Sequence, residues 1–531
     1  MMTQEINLDG PLAEQVAARR TFAIISHPDA GKTTLTEKLL LYGNAIHLAG
    51  NVRARRNQRS ATSDWLAIER ERGISITSTV LQFPYQGCTL NLLDTPGHQD
   101  FSEDTYRTLM AADSAVMILD AAKGIEAQTR KLFEVCRQRG IPILTFINKM
   151  DRPARDPLGL LDEVETILGM QPVPINWPLG DGDSFMGVYD RATGQVHLYD
   201  RTVRNETISP ETITRLADPQ IRAGLSATQY EELGTNIALL AEMGLAFDLE
   251  LFLGGGQTLV YFGSALTNFG VQYFLDQFVR YAPPPRRYPS EAGLIDPQRA
   301  EFSGFVFKIQ ANMNPRHRDS VAFVRVCSGR FERNMQVTHP RTGKTIRLSR
   351  PYSFFADTRE VVEEAYPGDI IGLPNQDFAI GDTICTGPAF NFAPIPRFPP
   401  EHFARLINLD MSKQKQFLKG VQQLETEGAM QVLYQVNAQR REPILAVLGG
   451  LQFEVVQARL ADEYNVSTRL EKLPHQLARR VAGPPEQIER LPWRSSPLRT
   501  QDRAGRLVAL FQSQYEFSVY EQNYPELKFW Y

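Results

Sequence analysis

Phe22-Ala23-Ile24-Ile25-Ser26-His27-Pro28-Asp29-Ala30-Gly31-Lys32-Thr33-Thr34 is the stretch whose reading decides the fold. Its four leading apolar residues, ended by turn formers, suit a strand buried on both faces, as in a parallel sheet. The loop that follows opens a helix. A strand, a tight loop and a helix start in that order make an anion site, because loop N–H groups and the positive helix end face one point. Gly31 lets the backbone come close to a phosphate. Lys32 reaches terminal phosphates, and the Thr33 hydroxyl can ligate Mg²⁺. One departure is Ser26, which stands where the motif has its first glycine.

Working outward, Leu90-Asn91-Leu92-Leu93, Ala115-Val116-Met117-Ile118-Leu119, Ile143-Leu144-Thr145-Phe146-Ile147 and Leu259-Val260-Tyr261-Phe262 are further strand-length apolar runs with helical patterns between them. This alternation predicts an α/β domain with a mainly parallel sheet. Ligands bind such sheets at the carboxyl ends of the strands, and three more motifs fall there. In Asp94-Thr95-Pro96-Gly97-His98, Asp94 is placed to hold Mg²⁺ through water, the Gly97 N–H to bond a γ-phosphate, and His98 to orient an attacking water. In Asn148-Lys149-Met150-Asp151, the Asp151 carboxylate accepts the N1 and N2 donors of guanine, Lys149 covers the base and Asn148 braces the loops. Ser264-Ala265-Leu266 closes a later strand, where the Ala265 N–H can bond guanine O6. Adenine would leave Asp151 unpaired, and such sites discriminate by ~10⁴ or more. That excludes an ATP-using enzyme. The segment Arg70-Glu71-Arg72-Gly73-Ile74-Ser75-Ile76-Thr77 is expected to act as a switch loop bringing a hydroxyl to the metal, Ser75 first and Thr77 as the alternative. The expected activity is GTP hydrolysis with GTP/GDP and Mg²⁺ bound.

Two proline-rich seams, Ala282-Pro283-Pro284-Pro285 and Ala393-Pro394-Ile395-Pro396, cannot continue a helix or sit inside a sheet. They divide the chain into a GTP-binding domain (1–283, with an insert at about 170–250), a β-barrel (284–396) and an α+β C-terminal domain (397–531). The insert is expected to carry helices near 210–216 and 236–252. Strands are expected at 302–308, 321–326, 330–337 and 370–373, with a hairpin tip at Arg341-Thr342-Gly343-Lys344. Beyond the second seam, 412–427 and 443–464 read as helices and 430–436 as a strand.

The 531 residues fit about three domains, and a net charge of −4 argues against a uniformly basic nucleic-acid coat. Four scattered cysteines fit neither a disulfide framework nor a metal site. With no signal-peptide core and no membrane-length apolar run, a cytoplasmic protein away from membranes is expected. The sequon Asn205-Glu206-Thr207 would then go unused.

On these residues the chain resembles the translational GTPases, which have histidine at the His98 position where small signalling GTPases have glutamine. Gly329-Arg330-Phe331 and Pro367-Gly368-Asp369-Ile370 match their barrel. Within that group it resembles the family of peptide chain release factor 3, the class II release factors. The matching segments are Ser63-Asp64-Trp65 with Ile68-Glu69-Arg70-Glu71-Arg72-Gly73, Gln310-Ala311-Asn312-Met313-Asn314-Pro315-Arg316-His317-Arg318-Asp319, and Gly449-Gly450-Leu451-Gln452-Phe453-Glu454-Val455. The likeness runs over about residues 19–485. Elongation factor G is similar through two domains but carries further ones for which this chain is too short. Ser75 stands where the wider family has threonine.

The resemblance implies a ribosome-dependent GTPase of translation termination. It would promote departure of class I release factors after peptide release, without reading stop codons. Its partners would be ribosomal RNA and proteins at the factor-binding site. Large-subunit RNA would position His98, so unaided turnover would be slow; off the ribosome a monomer is expected. The alternative is a translocation-type elongation or stress GTPase at the same site. A regulatory GTP-binding module without a ribosomal partner is the third reading.

Gly255-Gly256-Gln257 matches the peptide-releasing tripeptide of class I release factors, but its place just before a strand reads as a turn. Arg53, Arg55, Arg56 and Arg59, and Arg341, Lys344, Arg347 and Arg350, are basic clusters suited to RNA phosphates or simply to water. The aromatic residues of 517–531 read as packing.

Overall fold

The computed structural model describes residues 10–43, 69, 75–199, 211–311, 320–355, 358–438, 441–494 and 496–531. The basic run Arg53 to Arg59, the segments 63–65 and 312–319, and most of the expected switch loop lie outside them.

Seven strands form the first sheet: β1 (Arg19–Ser26), β2 (Thr79–Tyr85), β3 (Cys88–Asp94), β4 (Ser114–Asp120), β5 (Ile143–Asn148), β6 (Gln171–Pro174) and a last strand, Gln257–Phe262. Their order in space is β2-β3-β1-β4-β5, then Gln257–Phe262, then β6. Only β2 runs antiparallel to its neighbour. β4, β5 and Gln257–Phe262 are buried along their whole length, as two-face burial requires. The helix Lys32–Tyr42 covers one face, with Leu35, Leu39 and Leu40 in the core shared with Phe22 and Ile24.

The excursion from this sheet begins after β6, because Gln171–Pro174 pairs with Gln257–Phe262. It is a four-stranded antiparallel sheet followed by the helix Ala227–Glu242. A capping box at Ser226 and Gln229 starts that helix. The helix expected near 210–216 is instead the strand Glu211–Arg215, paired with Gln195–Tyr199. Its Glu-Thr-Ile-Thr-Arg sequence is rich in β-branched residues, which favours the strand.

Between the proline seams, an eight-stranded antiparallel sheet curls around Val306, Val324, Val326, Phe331 and Ile371. The stretch 330–337 is not one strand. Phe331–Glu332 and Gln336–His339 join different sheets across Asn334, whose φ is +70°. The expected tip Arg341 to Lys344 joins Gln336–His339 to Lys344–Arg347. Arg341 is tied to Asp382 at 2.6 Å, while Lys344, Arg347 and Arg350 are exposed.

The C-terminal domain is an eight-stranded sheet with the helices Gln414–Thr426 and Leu451–Tyr464 packed together on it. The helix expected over 443–464 starts late. Pro443–Val447 is a fully buried strand, and Gly449-Gly450 separates it from Leu451–Tyr464. Phe511, Phe517 and Phe529 pack edge to face within this domain.

A buried ion pair joins the first sheet to the curled one. Arg325 donates to Asp113 Oδ2 at 2.5 Å and to the Gly368 carbonyl at 2.9 Å, with the Arg325 and Asp113 side chains at most 1% exposed. Arg19 reaches Asp369 at 2.8 Å, and Thr21 donates to the Gly368 carbonyl at 2.7 Å. Burial works against the Arg325 charge, but the Asp113 carboxylate together with the neighbouring Tyr288 and Cys327 outweighs it and raises the guanidinium pKa. Removing one partner strands the other without water. Arg325→Ala is therefore expected to destabilise this domain pair by about 3–5 kcal/mol, and exchanging both residues for apolar ones to recover most of that. Urea unfolding of the three proteins measures it.

Candidate functional site

The carboxyl ends of β1, β3, β4 and β5 surround a cavity of about 690 Å³. This is within the roughly 300–1,000 Å³ usual for ligand sites. Ser26, His27, Pro28, Asp29, Gly31, Lys32, Thr33 and Thr34 line it from the first loop, Gly97 and His98 from the loop after β3, and Lys149 from the loop after β5. Ser75 lines it from the end of the switch segment.

The loop after β1 is shaped by two residues of positive φ, Asp29 at +66° and Gly31 at +97°. A Cβ on Gly31 would overlap the Asn148 amide, so glycine is required by both conformation and contact. The Lys32 ammonium is held by Asp94 at 2.5 Å and stands 3.4 Å from Ser75 Oγ. Thr77 faces away: its hydroxyl and N–H both donate to buried Glu69, at 3.2 and 3.0 Å. Of the two candidate hydroxyls, Ser75 is the one beside Lys32.

Other sequence-singled residues stand behind the lining. Asn148 is 1% exposed; its amide donates to the Ala30 carbonyl at 2.9 Å, and its oxygen accepts the Ala265 N–H at 2.8 Å. One side chain thus fastens the loop after β1 to the loop after Gln257–Phe262. Asp151 accepts from Ser264 Oγ at 2.5 Å, and Ser264 also receives the Thr267 N–H. Thr95 donates back into the sheet, to the Ile24 carbonyl at 2.6 Å. Pro96 accepts from Thr105 through its carbonyl, Met150 is buried, and Leu266 is exposed.

Asp120, at the end of β4, escaped the sequence reading. It accepts from Lys149 Nζ at 2.8 Å, and Lys149 also donates to the Asp29 carbonyl. Burial pushes Asp120 up, but the bonds from Lys149 and the Ala122 N–H win and hold its carboxyl below the usual range. Glu126 stands 3.2 Å from His27 Nε2. Position at a strand's carboxyl end was the available signal for Asp120; Glu126 lies in a loop and had none.

The Ser26 hydroxyl is buried with no hydrogen-bond partner among the described residues. Together with the Gly31 cradle and the Lys32 ammonium, it makes a lining that fits a polyphosphate. Among the described residues there is no cluster of three or more His, Cys, Asp or Glu side chains that could hold a metal ion. A lining with few protein oxygens fits Mg²⁺, which is commonly held by one or two protein groups, waters and substrate phosphates. The tripeptide Gly255 to Gln257 is not at this site. Gln257 is buried, bonding the Asp248 N–H, Gln171 and the Ala246 carbonyl, so it braces the sheet.

Residues 17–284 match the Elongation factor Tu GTP binding domain, 301–387 match Elongation factor G domain 2, and 392–521 match the Class II release factor RF3, C-terminal domain. The fold and these matches define a translational GTPase, an enzyme that binds guanine nucleotide. Peptide chain release factor 3 of Gloeobacter violaceus is 58% identical over 520 residues, 98% of each chain. That of Acaryochloris marina is 57% identical over 522 residues, 98% of this chain and 96% of its own. The chain belongs to the peptide chain release factor 3 family and acts in translation termination. A crystal structure of a Thermus thermophilus protein shares the fold with a TM-score of 0.69 at 22% identity, covering 88% of this chain and 70% of its own. No helix among the described residues is long and apolar enough to cross a membrane.

Proposed function

We propose that this GTPase acts on the ribosome to release class I release factors after the peptide has left, and that the cavity beside Lys32 is its GTP site. The loop after β1 and Lys32 hold the phosphates, and Gly97 offers its N–H to the last of them. Thr33, Ser75 and Asp94 would hold Mg²⁺, which when bound supplies positive charge against the phosphate oxygens. Asp151, Lys149, Asn148 and Ala265 form the guanine end. His98 orients the attacking water. The observation carrying this reading is that Lys32, Thr33, Ser75, Gly97 and His98, drawn from three separate segments, line one cavity.

His98 is a third exposed, and its Nδ1 accepts the Asp100 N–H at 3.2 Å. A ring with one nitrogen engaged and a third of its surface open can be reached by a partner, and trans stimulation of GTPases is worth ~10³–10⁵ in rate. The domains are proposed to divide near 283 and 396, at the proline seams, and the chain to be monomeric off the ribosome. GTP turnover measured alone, with empty ribosomes and with terminating ribosomes carrying a class I factor is the test. Strong stimulation together with faster departure of that factor is expected. Turnover indifferent to ribosomes would reject the reading, and stimulation without faster departure would favour a translocation-type factor.

A further inference from the structure

We propose that Asp100 is a positioning residue for His98 and that the C-terminal domain holds it in place. This rests on the reading of His98 as the water-orienting residue. Asp100 lies on the 3-10 turn Gln99–Phe101, two residues beyond His98. Its N–H donates to His98 Nδ1 at 3.2 Å, and its Oδ1 is 3.3 Å from the same nitrogen. Its second oxygen accepts the Leu451 N–H at 2.7 Å, from a residue 351 positions away. Leu451 opens the helix Leu451–Tyr464, so the carboxylate sits at a positive helix end.

Gly449 makes this approach possible. A Cβ there would overlap the Asp100 carboxylate, and the φ of Gly449 is not positive. Glycine is needed here for the contact and not for the turn. Gln452 fixes that turn by accepting the Leu448 and Gly449 N–H groups at 2.8 and 3.1 Å. Beside it, Ile76 and Phe101 share a small apolar cluster with Leu451 and Val455. One edge of the C-terminal domain therefore touches the residues next to both Ser75 and His98. The carboxylate, anchored by the Leu451 N–H, fixes the turn whose Asp100 N–H donates to His98 Nδ1, and so keeps the ring in one orientation. Undocking that edge releases Asp100, and the ring with it. GTP turnover thus depends on how the C-terminal domain sits.

The test uses the full chain with ribosomes and the variants Asp100→Ala, Gly449→Ala and Asp100→Asn. Asp100→Ala and Gly449→Ala are each expected to lower kcat for stimulated turnover about tenfold or more, with GTP affinity and the half-saturating ribosome concentration within about twofold. Asp100→Asn should keep most activity, because its amide oxygen still accepts the Leu451 N–H. The double variant Asp100→Ala/Gly449→Ala should be no worse than either single one, as expected of one shared contact. An unchanged or raised kcat in either single variant, or a loss matched by weaker ribosome binding, would overturn the proposal. Multiplied losses in the double variant would overturn it as well. His98→Ala, run in parallel, separates the two readings. If it leaves turnover intact, the role of His98 itself fails. If it suppresses turnover while Asp100→Ala and Gly449→Ala do not, only the coupling fails.

Discussion

His98→Ala is expected to lower ribosome-stimulated GTP hydrolysis by about 10²–10⁴-fold, the range for losing a group that handles a proton or water in the transition state. Nucleotide affinity should stay near normal. The proposed phosphate grip is the loop after β1 with Lys32, and the proposed guanine end is Asn148, Lys149, Asp151 and Ala265, none of which includes His98. The His98 ring is engaged elsewhere, through Nδ1 with Asp100. The variant therefore separates chemistry from binding, so kcat should fall while GTP and GDP dissociation constants hold. Single-turnover hydrolysis on saturating ribosomes is the suitable measurement, because it is blind to product release. Stimulated hydrolysis at the rate of the unaltered protein would remove His98 from the mechanism.

What could be read from the sequence was whatever depends on neighbours in the chain. Phe22 to Thr34 encodes strand, loop and helix start in one contiguous run, and each later motif sits directly after a buried apolar run. Apolar runs are also where composition is ambiguous. Pro443–Val447 and Leu451–Tyr464 merged into one expected helix, because a short buried strand and a buried helix segment share composition. Only the Gly449-Gly450 break tells them apart. Contacts across domains left no local trace. Arg325 and Asp113 are 212 residues apart, and Asp100 and Leu451 are 351 apart. Gly449 was visible as part of a family-like segment, but its reason, room for a carboxylate from another domain, needs the folded chain.

Asp151→Asn should turn the site from guanine towards xanthine. A carboxylate accepts both the N1 and N2 hydrogens of guanine; an amide accepts one and sets its own N–H against the other. Ser264 Oγ donates to Asp151 Oδ1 at 2.5 Å, which in the variant favours the amide rotamer with oxygen on that side. An amide N–H₂ set against the N2 amine of guanine opposes donor to donor, but against the C2 carbonyl of xanthine it finds a proper partner. Sites that leave a buried polar group unpaired reject the wrong ligand by about 10⁴–10⁵. The preference for GTP over XTP should therefore change by a comparable factor, most of it through weaker GTP binding. The loop should survive the change, since Asn148 still ties Ala30 to Ala265 and Lys149 still bonds Asp120. XTP hydrolysis stimulated by ribosomes would show the rest of the machine intact. If the variant bound GTP and XTP in the original ratio, Asp151 would not be the residue that reads the base.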